Sequence, residues 1–134
     1  MNIVVGLTAT PEAHAAAHTA IDEAVLRGAD VVLLPEPQRD DAGSPGPAPI
    51  PDPDVARYAQ ERGVGLSVSE LPPDADFGDA LIDASYQAET AMIVIGLRRR
   101  SPVGKLFLGS TSQRVLLEAG CPVHAVKVRV GPRR

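Results

Sequence analysis

Asn2-Ile-Val-Val-Gly-Leu-Thr8 and Asp30-Val-Val-Leu-Leu34 are short apolar runs rich in β-branched residues, the pattern of strands buried on both faces. Between them Thr10, Pro11 and Glu12 bring together a capping hydroxyl, a proline at the first helical position and an early acid, so a helix begins at Pro11. Ala13, Ala16, Ala17, Ala20, Ile21, Ala24 and Val25 recur along one stripe as far as Arg27, and Gly28 stops the helix. Strand, helix and strand within about thirty residues make a βαβ unit, which requires a mostly parallel sheet.

Outward from that unit the alternation continues. Residues 35–53 contain seven prolines together with Gly43 and Gly46, a composition that sustains neither helix nor strand and predicts an extended surface loop. A helix is expected over Asp54 to Arg62, a third strand over Val64 to Leu71, a turn at Pro72-Pro73-Asp74, and a third helix over Asp76 to Thr90 with Phe77, Ala80, Leu81, Ala84, Ala88 and Ala91 at helical spacing. Met92-Ile-Val-Ile-Gly96 reads as the clearest buried strand. Gly109-Ser110 opens a helix through Ala119, with Val115, Leu116 and Leu117 as its apolar positions and Gly120 as its stop, and Pro122 to Val130 supplies the last strand. Five strands and about four helices in alternation predict an α/β fold: a single open, doubly wound, mostly parallel sheet in one domain over 1–134.

Composition agrees. In 134 residues, 44% of them apolar, there is material for one core, and with no Trp, two Tyr and two Phe it must be built from Ala, Val, Leu and Ile. Cys121, the single cysteine, has no intramolecular partner and is read as a buried structural thiol. The chain enters a strand directly after Met1 and carries no signal-like or membrane-spanning stretch, so a cytoplasmic location is expected. The net charge of −4 and near absence of aromatics argue against nucleic-acid binding, although nine of thirteen basic residues and one of seventeen acids follow Met92. Such a basic segment suits either an anion or a solvated face.

Ligands of open parallel sheets bind beyond the carboxyl ends of the strands, and Gly109-Ser110 places the free N–H groups of a helix start at that end. The segment is not a Walker A loop, because Arg99 stands five residues before Gly104 and Leu106 follows Lys105. The thirteen-residue step from Gly96 to Gly109-Ser110 resembles the G-x2-G-x9-G-[ST] nucleotide loop of the universal stress protein family. The opening Val4-Val-Gly-Leu-Thr8 and the Cys121-Pro-Val123 that leads the last strand resemble that family too, and the likeness covers essentially the whole chain.

The resemblance implies a non-enzymatic, homodimerising stress-response protein, with ATP and its Mg as the cofactor of some members. Carried over by residue, the nucleotide-binding positions are Thr8, Gly96, Arg99, Gly109 and Ser110. Two of them depart from the pattern: Arg99 replaces a loop glycine, and Thr8 replaces an aspartate close to the adenosine. An arginine at Arg99 either blocks the backbone approach or substitutes a charged side chain for a backbone donor. The alternative to nucleotide binding is therefore a dimeric interaction module whose cleft has closed. Val123 to Val130, as a terminal and apolar strand, is the expected dimer edge.

His14 and His18 lie four apart on the first helix and are read as surface histidines, no third ligand being suggested nearby and no metal site expected. Ser110 lacks a G-x-S-x-G elbow and His124 falls within a strand, so no hydrolytic centre is expected.

Overall fold

The computed structural model describes residues 1–97 and 108–128 of the chain. Its elements follow the expected alternation: β1 (Asn2–Leu7), α1 (Pro11–Arg27), β2 (Asp30–Pro35), α2 (Pro53–Glu61), β3 (Leu66–Val68), α3 (Phe77–Ser85), β4 (Thr90–Leu97), α4 (Ser110–Glu118) and β5 (Val123–Lys127). The five strands form one sheet in the order β3-β2-β1-β4-β5, and every pairing is parallel.

Each central strand is apolar on both faces because both faces are covered. Ile3 and Val5 of β1, Val31 and Leu33 of β2 and Met92 and Val94 of β4 join the alanine stripe of α1 and Val55 and Ala59 of α2 in one core. Val4, Leu34, Ile93 and Ile95, one residue out of phase, join Leu81 of α3 and Val115 of α4 in the other.

The caps of α1 are those its sequence specifies. Thr10 Oγ1 accepts from the Ala13 N–H, Pro11 stands at the first helical position, and Gly28 ends the helix in the left-handed region at φ 63°. Val25 departs from expectation by being half exposed. At about 100° per residue it falls past the edge of the stripe centred on Ala13, Ala17 and Ala24.

Other elements are shorter than expected. α3 stops at Ser85, where Tyr86 and Gln87 donate to Asp83 and Ala84 and tighten the last turn, so Ala88 and Ala91 lie outside it. The buried Ser85 Oγ donates to the Ile82 carbonyl and accepts from the Gly120 N–H at 2.8 Å, which ties this helix end to the turn before β5. β3 keeps three residues because it is an edge strand, paired with β2 alone, and Pro72-Pro73 follow soon after. In α4 only Val115 is buried, while Leu116 and Leu117 face outward.

The proline-rich segment is more ordered than an extended loop. Arg39 and Pro45 form an antiparallel bridge around a turn in which Asp40 Oδ1 accepts from the Ala42 and Ser44 N–H groups. Arg39 also donates to the carbonyls of Gly43 and Pro73, and Asp52 then caps α2 by accepting from the Asp54 N–H. Among the described residues no helix is long and apolar enough to cross a membrane.

Candidate functional site

β1 and β4 are neighbours whose onward connections lead to opposite halves of the sheet, which makes their carboxyl ends the switch point where such folds receive ligands. Thr8 directly follows β1, and Gly96 is the next-to-last residue of β4. Both line a cavity of about 70 Å³, together with Glu36 from the end of β2, Phe77 of α3, and Thr111 and Ser112 of α4. The cavity thus brings Thr8 and Gly96 together, while Glu36, Thr111 and Ser112 are lining residues that the sequence did not single out. A run of three hydroxyls from Ser110 to Ser112 was the available signal for two of them.

Gly109 is the N-cap of α4 and offers no side-chain cap, and among the described residues a Cβ built on it would meet nothing within 4 Å. The first N–H groups of α4 have no partner within the helix itself, and such groups can serve an anion. Gly96 is different. A Cβ there would stand 2.6 Å from the Glu12 carbonyl oxygen, so this glycine lets the start of α1 close onto β4. Arg99 lies outside the described residues.

Thr8 also opens onto a second, larger cleft of about 580 Å³, walled by Thr10, His14 and Ala17 of the α1 side and by Pro49, Ile50 and Asp52 of the proline-rich segment. Its size falls within the range of small-molecule sites, and most of its walls are apolar. Thr8 Oγ1 and Thr10 Oγ1 share a hydrogen bond of 2.8 Å at the boundary between the two hollows. In the smaller one, the Glu36 carboxylate accepts from Gln38 Nε2.

Among the described residues three groups are electrostatically displaced. The Asp54 backbone N–H, with smaller help from His14 and Arg57, holds the Asp52 carboxyl below its ordinary range. Hydrogen bonding to Asp79, reinforced by Glu118 and Asp76, raises Arg114, which joins α4 to α3. Burial pushes the Cys121 thiol up, consistent with an unreactive role for this half-buried side chain.

His14 and His18 are not isolated. Asp54, at the start of α2, supplies the third group that the sequence left unsuggested: the candidate ligand atoms of the three residues all lie within 4.8 Å of one another.

Residues 1–127 match the model of the universal stress protein family. A universal stress protein of Mycolicibacterium smegmatis is 37% identical over 128 residues, covering 93% of this chain and 96% of its own. Among solved structures, a universal stress protein of Archaeoglobus fulgidus superposes with a TM-score of 0.71 at 25% identity, over 93% of this chain and 97% of its own. The universal stress protein of the same organism in complex with dAMP superposes at 0.66, with 20% identity over 93% and 96% of the two chains.

Proposed function

The chain belongs to the universal stress protein family, and we propose that it is a non-enzymatic homodimer that binds an adenine nucleotide, ATP among them, at the carboxyl ends of β1 and β4. The observation that carries this reading is the convergence of Thr8, Gly96, Thr111 and Ser112 on one cavity at the switch point, beside the uncapped start of α4. The phosphates sit on the N–H groups that follow Gly109, with Ser110 beside them, and Arg99 serves as a charged phosphate ligand. The apolar walls of the larger cleft suit the base, and Thr8 stands between base and phosphates. Glu36 restores beside Thr8 a carboxylate for the ribose that the threonine itself lacks. The dAMP carried by the Archaeoglobus fulgidus relative supports the choice of ligand class.

The test is calorimetric titration of the nucleotide-stripped protein with Mg-ATP, AMP and cAMP, repeated on Gly109→Arg and Arg99→Gly. Saturable binding that Gly109→Arg abolishes without lowering Tm is the expected result, because among the described residues the new side chain meets nothing within 4 Å of its Cβ and leaves both cores alone. Silence in the native protein with binding in Arg99→Gly would instead favour the interaction module with a closed cleft.

The homodimer forms through β5, which is an edge strand. The Ile93 N–H donates to the Pro122 carbonyl, so by alternation His124 and Val126 face β4 and the N–H groups of Ala125 and Lys127 point outward. Ala125→Pro should therefore convert a dimer into a folded monomer in sizing by light scattering, since it removes an outward donor from an edge that tolerates proline. A dimer that persists would place the interface elsewhere.

A further inference from the structure

His14 and His18 lie one turn apart on α1, and Asp54 faces them from the first turn of α2, 36 residues later in the chain than His18. Both imidazole Nε2 atoms approach the same carboxylate oxygen, Asp54 Oδ2, at 3.6 Å from His14 and 3.5 Å from His18. These separations are too long for hydrogen bonds. They are only slightly longer than the roughly 3.3–3.4 Å that separates two ligands on one tetrahedral zinc ion when the metal–ligand bonds are about 2.0–2.1 Å. Among the described residues, His18 Nε2 and Asp54 Oδ1 are buried and make no hydrogen bond.

The ring of His18 is held in place by its neighbours. It lies against Tyr58, with ring centroids 4.5 Å apart, and against His14 at 4.6 Å. Tyr58 in turn donates its hydroxyl to Asp22 and carries the Arg62 guanidinium 4.0 Å above its ring. An acid in a first helical turn is favoured by the helix dipole alone, but the dipole asks for no imidazoles on the facing helix.

From this juxtaposition we propose that His14, His18 and Asp54 form a binding site for a divalent transition metal of the zinc class. Two imidazoles and a carboxylate are a donor set for such ions rather than for magnesium or calcium. The ion would clamp α2 onto α1. Three protein ligands leave a fourth position, and one of the three, His14, lines the larger cleft. The site is formed by α1 and α2 alone and does not depend on nucleotide binding.

The experiment uses the untagged full chain, stripped with a chelator and free of nucleotide, titrated with Zn²⁺ by calorimetry and with Co²⁺ by visible absorption. One equivalent of Zn²⁺ should bind, and Co²⁺ should develop the intense visible bands of a low-coordinate site. His18→Asn, His14→Gln and Asp54→Asn should each weaken affinity by about 100-fold or more, since even losses outside the ligand shell cost 10–100-fold. His124→Asn should leave it unchanged. Far-UV circular dichroism and Tm in chelator keep folding separate from binding. An absence of binding by the native chain at millimolar Zn²⁺, or binding that survives in folded His18→Asn and Asp54→Asn, would overturn the site.

Discussion

Leu81→Ala should lower the free energy of unfolding by about 4 kcal/mol, near the upper end of the range of about 2–5 kcal/mol for such truncations. Leu81 is fully buried in the core between the sheet and α3 and α4. Its methyl groups lie within 3.5 Å of where a Cβ on Gly6 would stand, and a glycine has no side chain that could move in to fill the gap. The side chain also lines the 70 Å³ cavity beneath the switch point, and its removal would enlarge an existing void instead of leaving a small one to collapse. Urea unfolding followed by circular dichroism reads the change. Leu117→Ala serves as the control: that side chain is 79% exposed, and its loss should stay within about 0.5 kcal/mol.

Gly96→Ala should cost about 3 kcal/mol, although it adds a single methyl group. Overpacking usually costs about 1–3 kcal/mol, and here the colliding partner is backbone that cannot rotate away. The new Cβ would stand 2.6 Å from the Glu12 carbonyl oxygen and 2.7 Å from its carbon, in the first turn of α1. Gly120→Ala makes an equally short contact, 2.6 Å, but with the ring of Tyr86, which is 69% exposed and can swing aside at the cost of one exposed 3.2 Å hydrogen bond to the Glu118 carbonyl. Its cost should stay below about 1 kcal/mol. If the two substitutions proved equal by denaturant midpoint, the close approach of α1 to β4 would not be what holds a glycine at position 96. The comparison matters for function, because a loss of nucleotide affinity in Gly96→Ala would then have to be read against displacement of α1.

What was legible in the sequence was local. The caps of α1 need only Thr10, Pro11 and Gly28, and the two-sided burial of β1 and β4 is written in their unbroken apolar runs. Thr8 and Gly96 could be paired because both follow from the rule for strand ends in a parallel sheet. The end of α3 was hidden because Ser85 is held by the Gly120 N–H, 35 residues away. Leu116 and Leu117 look like core by composition, but only Val115 of that trio faces the sheet. The third member of the histidine cluster was illegible for the same reason: nothing near His14 and His18 in the chain announces that α2 will return Asp54 to them. Gly96 is the subtler case, since a motif assigns it to a ligand whereas its nearest neighbour is the Glu12 backbone.

The strand order carries a consequence for how the chain comes to be folded. β1 lies at the centre of the sheet, yet one of its two partners, β4, begins only at Thr90. At ribosomal rates of about 5–20 residues per second, roughly 4–16 s separate the synthesis of the two strands. During that interval β1, α1 and β2 can assemble with one flank of Ile3 to Leu7 bare, offering unpaired backbone along a run of buried-type side chains. A newborn chain whose β1–α1–β2 unit forms in that interval would carry its own centre as an open edge until β4 arrives.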